Sequence, residues 1–137
     1  MKNFKLLDFL YFTSYFTLIV YIIYLIYPVK IFHLREPIEV ETKQVKRGET
    51  LIYAHKRTKN LNIPVEAYYT FVDGVIYTPN QSKISDAPTG YIETKVPVIV
   101  PMEVPPGRYT LRITLKGELP LFKKLTETYT TEEFEVL

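Results

Sequence analysis

His33 and His55 are the side chains in this sequence best suited to general acid–base work or to metal ligation. Neither has a second ligand at i, i+2 or i, i+4, the spacings that put two donors on one face of a strand or helix. Each reads as a surface or core-rim histidine. The chain has no cysteine, which excludes a disulfide, a thiolate nucleophile and the Cys-containing ligand set of a blue-copper site. Ser14, Ser82 and Ser85 are the serines, and none lies in a G-x-S-x-G context. No spacing marks two carboxylates as a hydrolytic pair, and Glu132, Glu133 and Glu135 read as a solvated face. Gly48, Gly74, Gly90, Gly107 and Gly117 read as turn glycines, with no phosphate-cradling loop among them. The expectation is a non-catalytic protein with no cofactor, no metal and no small-molecule substrate.

Recognition is the chemistry that remains. Seventeen Lys and Arg against fifteen Asp and Glu give a net charge of +2, too balanced for the basic field of a nucleic-acid binder, so no nucleic acid is expected. The charges are nonetheless segregated along the chain. Lys46, Arg47, Lys56, Arg57 and Lys59 collect around one predicted strand, and Glu127, Glu132, Glu133 and Glu135 around the last. Two readings stand: an interaction surface for a second copy or another protein subunit, or edge strands whose charges prevent such pairing. Tyr68, Tyr77 and Tyr91 fit either an exposed aromatic surface or the core. The stretch from Asn80 to Gly90 is the most polar connection and a place for variable contacts.

These residues have to be positioned by two very different segments. From Phe9 to Val29 there is no charged side chain. The 19 residues Phe9 to Tyr27, with Tyr15, Ile19 and Ile22 inside, span about 28 Å as a helix, close to the ~30 Å hydrocarbon thickness of a bilayer. Lys2, Lys5 and Asp8 precede this segment and Pro28, Lys30 and Arg35 follow it, with Tyr11 and Tyr27 near its ends. The absence of Ala and Gly from Met1 to Val29 argues against a signal-peptide cleavage site. Thr13, Thr17, Tyr21 and Tyr24 fall within about 80° of one another on a helix of 100° per residue. That stripe fits a lipid-facing helix with tolerated hydroxyls, or a helix packed on another membrane helix. The expected topology is single-pass with a cytosolic N-terminus and a C-terminal domain outside.

After Pro28 the pattern turns to period-two alternation punctuated by Pro and Gly. Strands are predicted at Ile38 to Lys46, Thr50 to Lys59, Ile63 to Val72, Val75 to Thr78, Tyr91 to Val100, Arg108 to Gly117 and Leu125 to Val136. Gly48 sits in the first turn, Asp73-Gly74 in a hairpin, and Pro106-Gly107 before the sixth strand. Residues 78–82 and 86–90 read as loops, and Pro97 pushes its strand toward an edge. The organisation expected is a tail and transmembrane helix over 1–30, a juxtamembrane linker over 31–37 and an all-β, seven-stranded antiparallel sandwich over 38–137. Its core would draw on Val40, Leu51, Tyr53, Val65, Ala67, Tyr69, Phe71, Val98, Tyr109, Leu111, Ile113, Leu115, Phe134 and Val136.

Two runs carry a resemblance. Val45 to Tyr53, with Gly48-Glu49 before Leu51 and Tyr53, resembles the approach to the second strand of bacterial and phage immunoglobulin-like domains. Val104 to Ile113, through Pro106-Gly107-Arg108-Tyr109, is similar to their approach to the sixth strand, where the Tyr hydroxyl makes a corner back to the backbone. With its helix, the chain resembles small phage membrane proteins that carry an Ig-like sandwich. The resemblance implies a membrane-anchored structural or envelope-surface interaction module of a virion, with the lipid bilayer and a homo-oligomer or other subunits as partners. The alternative is an accessory subunit of a multi-helix membrane complex.

Overall fold

The computed structural model describes the backbone of residues 2–73, 75–77, 82–85 and 89–137, and the side chains of 5–73 and 89–137. Gly74 of the predicted hairpin, most of the predicted loops at 78–82 and 86–90, and the side chains of Tyr77, Ser82 and Ser85 lie outside the described residues.

The apolar segment forms one helix, α1 (Lys2–Ile26). Pro28 ends it, because the residue before a proline is disfavoured in the helical region. Tyr27 lies beyond the last helical residue, although its N–H still reaches the Ile23 carbonyl at 2.9 Å. The rest is β structure: β1 (Phe32–Leu34), β2 (Gln44–Val45), β3 (Thr50–Lys59), β4 (Val65–Asp73), β5 (Val75–Tyr77), β6 (Ser82–Ser85), β7 (Gly90–Ile99), β8 (Gly107–Leu119), β9 (Lys123–Thr130) and β10 (Phe134–Val136). Strands make up 51% of the described residues, and the sheets do not close.

One sheet has the order β1-β3-β7. The other runs β2-β10-β8-β4-β5, with β6 also on β4 and β9 also on β8. Their inward faces share one core. Tyr53 of β3 and Tyr69 of β4 meet across it with hydroxyls 3.4 Å apart. Phe71 stands edge-on to both Tyr109 and Phe134. Every expected core residue is buried except Ala67, which is half-buried, because alternation on β3, β4 and β8 sends each second side chain inward. Pro97 sits in β7, the end strand of the β1-β3-β7 order.

Three boundaries differ from the sequence reading. Residues 31–37 are not a linker: Ile31 and Phe32 are fully buried, and β1 pairs antiparallel with β3. The predicted first strand instead divides between the sheets. Val40 bridges to Tyr53, while Ile38 bridges to Thr131 and β2 runs parallel to β10. The predicted last strand is two strands, β9 and β10, interrupted at Thr131, whose hydroxyl accepts the Leu111 N–H at 2.9 Å. With β1 and β6 added and the last strand split, ten strands appear among the described residues, against seven expected. Gly48 takes φ 80° in its turn, as a turn glycine does. Gly117 is not a turn glycine. It lies within β8, where a Cβ would come within 2.9 Å of Ile63 and 3.1 Å of Ile31.

Candidate functional site

The helix and the β domain meet at one side of β9. Lys123, Leu125, Glu127 and Tyr129 alternate inward along that strand and face the start of the chain. An α-helix leaves its last four carbonyls without intrahelical donors, and α1 has no basic residue in its last turn. Lys123 supplies the missing donor. Its ammonium donates to the Tyr24 and Tyr27 carbonyls at 2.5 Å each and lies 4.9 Å from the Tyr24 ring centroid. A cation at this end also opposes the negative pole of the helix dipole. Burial of Lys123 to 4% exposure is tolerable because these bonds replace its water.

The turn before Lys123 extends the contact along the helix. Tyr24 donates its hydroxyl to the Pro120 carbonyl at 2.7 Å, and Tyr21 to the Leu121 carbonyl at 2.9 Å. The hydroxyl stripe on α1 is therefore answered inside the chain: Thr13 and Thr17 bond back to the Phe9 and Thr13 carbonyls at 2.8 Å, and the two tyrosines bond to this turn. Beyond the helix end, the Glu127 carboxylate accepts the N–H groups of Ile31 and Phe32. The Tyr129 hydroxyl lies 3.0 Å from both the Phe32 carbonyl and Glu127. Burial, then the Glu127 charge, pushes the Tyr129 phenol above its ordinary range, so it stays protonated and able to donate.

The expected basic surface is only partly assembled. Lys46, Arg47 and Lys56 are exposed, and Lys56 faces Glu93 across the β3–β7 ladder at 3.7 Å. Arg57 and Lys59 do not join them: they are 8% and 2% exposed, on the inward face of β3 with Tyr53 and His55. The Arg57 guanidinium lies 4.3 Å over the Phe32 ring, and burial lowers its pKa. Glu132 pairs with Lys43, Glu133 lies 3.7 Å from Arg108 and Glu135 accepts from the Gln44 amide, so these three carboxylates are met within their own domain. Such exposed pairs contribute little stability. Tyr91 is exposed, whereas Tyr68 is half-buried with Lys116 5.0 Å from its ring centroid.

His33 is exposed on β1. His55 is not a rim residue. It is 4% exposed between Phe32 and Tyr53, with ring centroids 6.2 and 5.7 Å away, and its Nε2 has no hydrogen-bond partner. Burial, helped by the Arg57 charge, holds its pKa down to about 4, so the imidazole is neutral at neutral pH. Tyr109 has the corner geometry: its ring is buried and its hydroxyl donates to the Pro105 carbonyl at 2.7 Å. Pro106 and Gly107 turn the chain into that corner, and Asp73 closes β4 beside them, its carboxylate 3.4 Å from the position a Cβ on Gly107 would take.

Among the described residues no three His, Asp or Glu side chains converge to hold a metal. Two surface grooves, one lined by Pro64, Glu66, Lys116 and Lys124 and the other by Glu36, Glu39, Lys56 and Glu132, contain no histidine. No protein-family model and no curated protein matches this chain. What distinguishes the molecule is thus the junction built by Lys123, Glu127 and Tyr129. Sequence reasoning passed over it, although Leu121-Phe122, an apolar pair where a polar turn belongs, marked the place.

Proposed function

We propose that this chain is a single-pass membrane protein whose α1 anchors a non-catalytic immunoglobulin-like module at the membrane surface. The observation that carries the reading is the helix itself. Lys5–Ile26 is 22 residues of mean hydropathy 1.9, about 33 Å long, exposed throughout except for half-buried Tyr21 and Tyr24. A helix of this length and composition also fits a signal sequence, but here its last carbonyls are held by Lys123 and two of its tyrosines by the β8–β9 turn. Removing it would strip partners from the folded domain.

The Ig-like part draws support from the sheet orders. β1-β3-β7 corresponds to the A-B-E side of such a sandwich and β10-β8-β4-β5 to the G-F-C-C′ side, with the Tyr109 corner at the start of the F-equivalent strand β8. The resemblance of Val45 to Tyr53 and Val104 to Ile113 to phage domains supports a structural or envelope-surface role in a virion, with the domain outside and the N-terminus in the cytosol. The accessory-subunit alternative rested on a free hydroxyl stripe, and Tyr21 and Tyr24 are already bonded within the chain.

Alkaline carbonate extraction followed by isolation in mild detergent tests the reading. The chain is expected to stay with the membrane and to emerge as a monomer or homo-oligomer. Release into the soluble fraction overturns the anchor, and a stoichiometric set of larger membrane subunits favours the alternative. Protease added to intact cells is expected to digest the β domain; protection until the membrane is broken reverses the topology.

A further inference from the structure

The turn between β8 and β9 has the wrong residues for an aqueous hairpin. Leu121 and Phe122 adopt φ 62° and 65°, the left-handed region that Gly, Asn and Asp enter readily and bulky side chains enter at a cost. Their side chains gain nothing from the domain in return: Leu121 is 64% exposed, and Phe122 at 81% is the most exposed large apolar residue among those described. Backbone strain held at an exposed apolar tip calls for a partner that the tip itself contacts.

The depth of the tip is fixed by α1. The Leu121 carbonyl is bonded to Tyr21, five residues before the last helical residue Ile26, so the turn reaches about 8 Å back along the helix from its end. Helical side chains lean toward the N-terminus, which carries the contact no less far. A helix of about 33 Å centred in a ~30 Å hydrocarbon layer puts Tyr24 at the headgroup boundary, where tyrosines are favoured, and Tyr21 about 6 Å to its acyl side. Lys123 and Lys124 follow at once, one on the helix carbonyls and the other exposed.

We infer that the Pro120–Phe122 turn is a second membrane contact, with Leu121 and Phe122 inserted into the lipid at the headgroup–acyl boundary beside α1. The inference rests on the anchor reading above and adds a consequence to it. A single helix leaves a domain free to tilt; a helix and a bonded apolar tip hold it at one attitude to the bilayer, and so fix which edges face outward.

Because the chain has no native cysteine, single labels are unambiguous. The full chain is reconstituted in phosphatidylcholine vesicles with an environment-sensitive fluorophore on Phe122→Cys, on Leu121→Cys as a second tip site, on Ile19→Cys in mid-helix, or on Arg47→Cys in the turn before β3. Nitroxide-bearing lipids and aqueous iodide are the quenchers. Loss of tip fluorescence to the shallow nitroxide in preference to the deep one, with little loss to iodide, is the expected result; Ile19 should show the reverse depth order and Arg47 should respond to iodide alone. A quenched Ile19 label with tip labels open to iodide overturns the inference and leaves the anchor standing. Tip labels shielded from both quenchers overturn it in favour of a protein covering the turn. An Ile19 label that lipid does not quench overturns the anchor itself.

Discussion

Acidification should destabilise the β domain through His55. Its imidazole is buried between Phe32 and Tyr53 beside Arg57, and burial holds its pKa down to about 4, against about 6.5 in an unfolded chain. Between those values the unfolded state binds more protons than the native state, so stability rises with pH there and falls as pH drops. The contribution is intact above about pH 6.5 and lost as pH approaches 4; a depression of this size corresponds to roughly 3 kcal/mol, most of it gone by about pH 4.5. Carboxylates titrate in the same range: the Lys43 hydrogen bond holds Glu132 low, and losing that contact at acid pH adds to the decline. A difference measurement isolates the histidine. Urea unfolding of the full chain in nonionic detergent, followed by near-ultraviolet circular dichroism of its tyrosines, is compared between the native sequence and His55→Phe. The variant keeps a ring in the aromatic pocket and removes both the titration and the unpartnered Nε2. Its stability advantage should grow by about 2 kcal/mol from pH 7 to 4.5. Parallel curves for the two proteins would show that His55 is not desolvated and would refute the reasoning.

Tyr109→Phe removes a hydroxyl bonded at 2.7 Å to the Pro105 carbonyl. Because Pro105 is itself exposed and water can replace part of the bond, the expected cost is about 1 to 2 kcal/mol, or a Tm lower by roughly 4–8 °C per kcal/mol, with exposed Tyr91→Phe as the neutral control. A fragment beginning at Pro28 should unfold cooperatively as an all-β domain. One beginning at Glu36 loses fully buried Ile31 and Phe32, roughly 3 to 6 kcal/mol together, and should melt far lower or not fold. Lys123→Met strips two charge-assisted bonds from the end of α1, worth about 1.5 to 3 kcal/mol each before the relief of unburying a charge, and should speed amide hydrogen exchange across the β8–β9 turn. Arg at both Ile19 and Ile22, about 2.5 to 3.5 kcal/mol each on insertion scales, should abolish membrane retention of the chain.

The faces of β3, β4 and β8 were legible because alternation is a local property, and the same side chains that alternate in sequence line the core. The misreading of β3 came from abandoning that rule six residues too soon. Continued past Tyr53, period two puts His55, Arg57 and Lys59 inward; charge argued for the surface, since such residues are seldom buried without partners. Here Phe32 covers the end of the strand and takes the Arg57 guanidinium against its ring, and Phe32 belongs to a segment with too few residues for any period to show. The stripe on α1 carries the same lesson further. Thr13, Thr17, Tyr21 and Tyr24 share a face whatever the fold, and a row of hydroxyls on an apolar helix says that acceptors must exist. Two of those acceptors are four residues away and readable from helix geometry alone. The other two lie 96 and 100 residues away in a turn whose apolar pair is the reverse of what turn chemistry prescribes. Periodicity identifies the face that needs a partner; only the fold says that the partner is the chain's own hairpin.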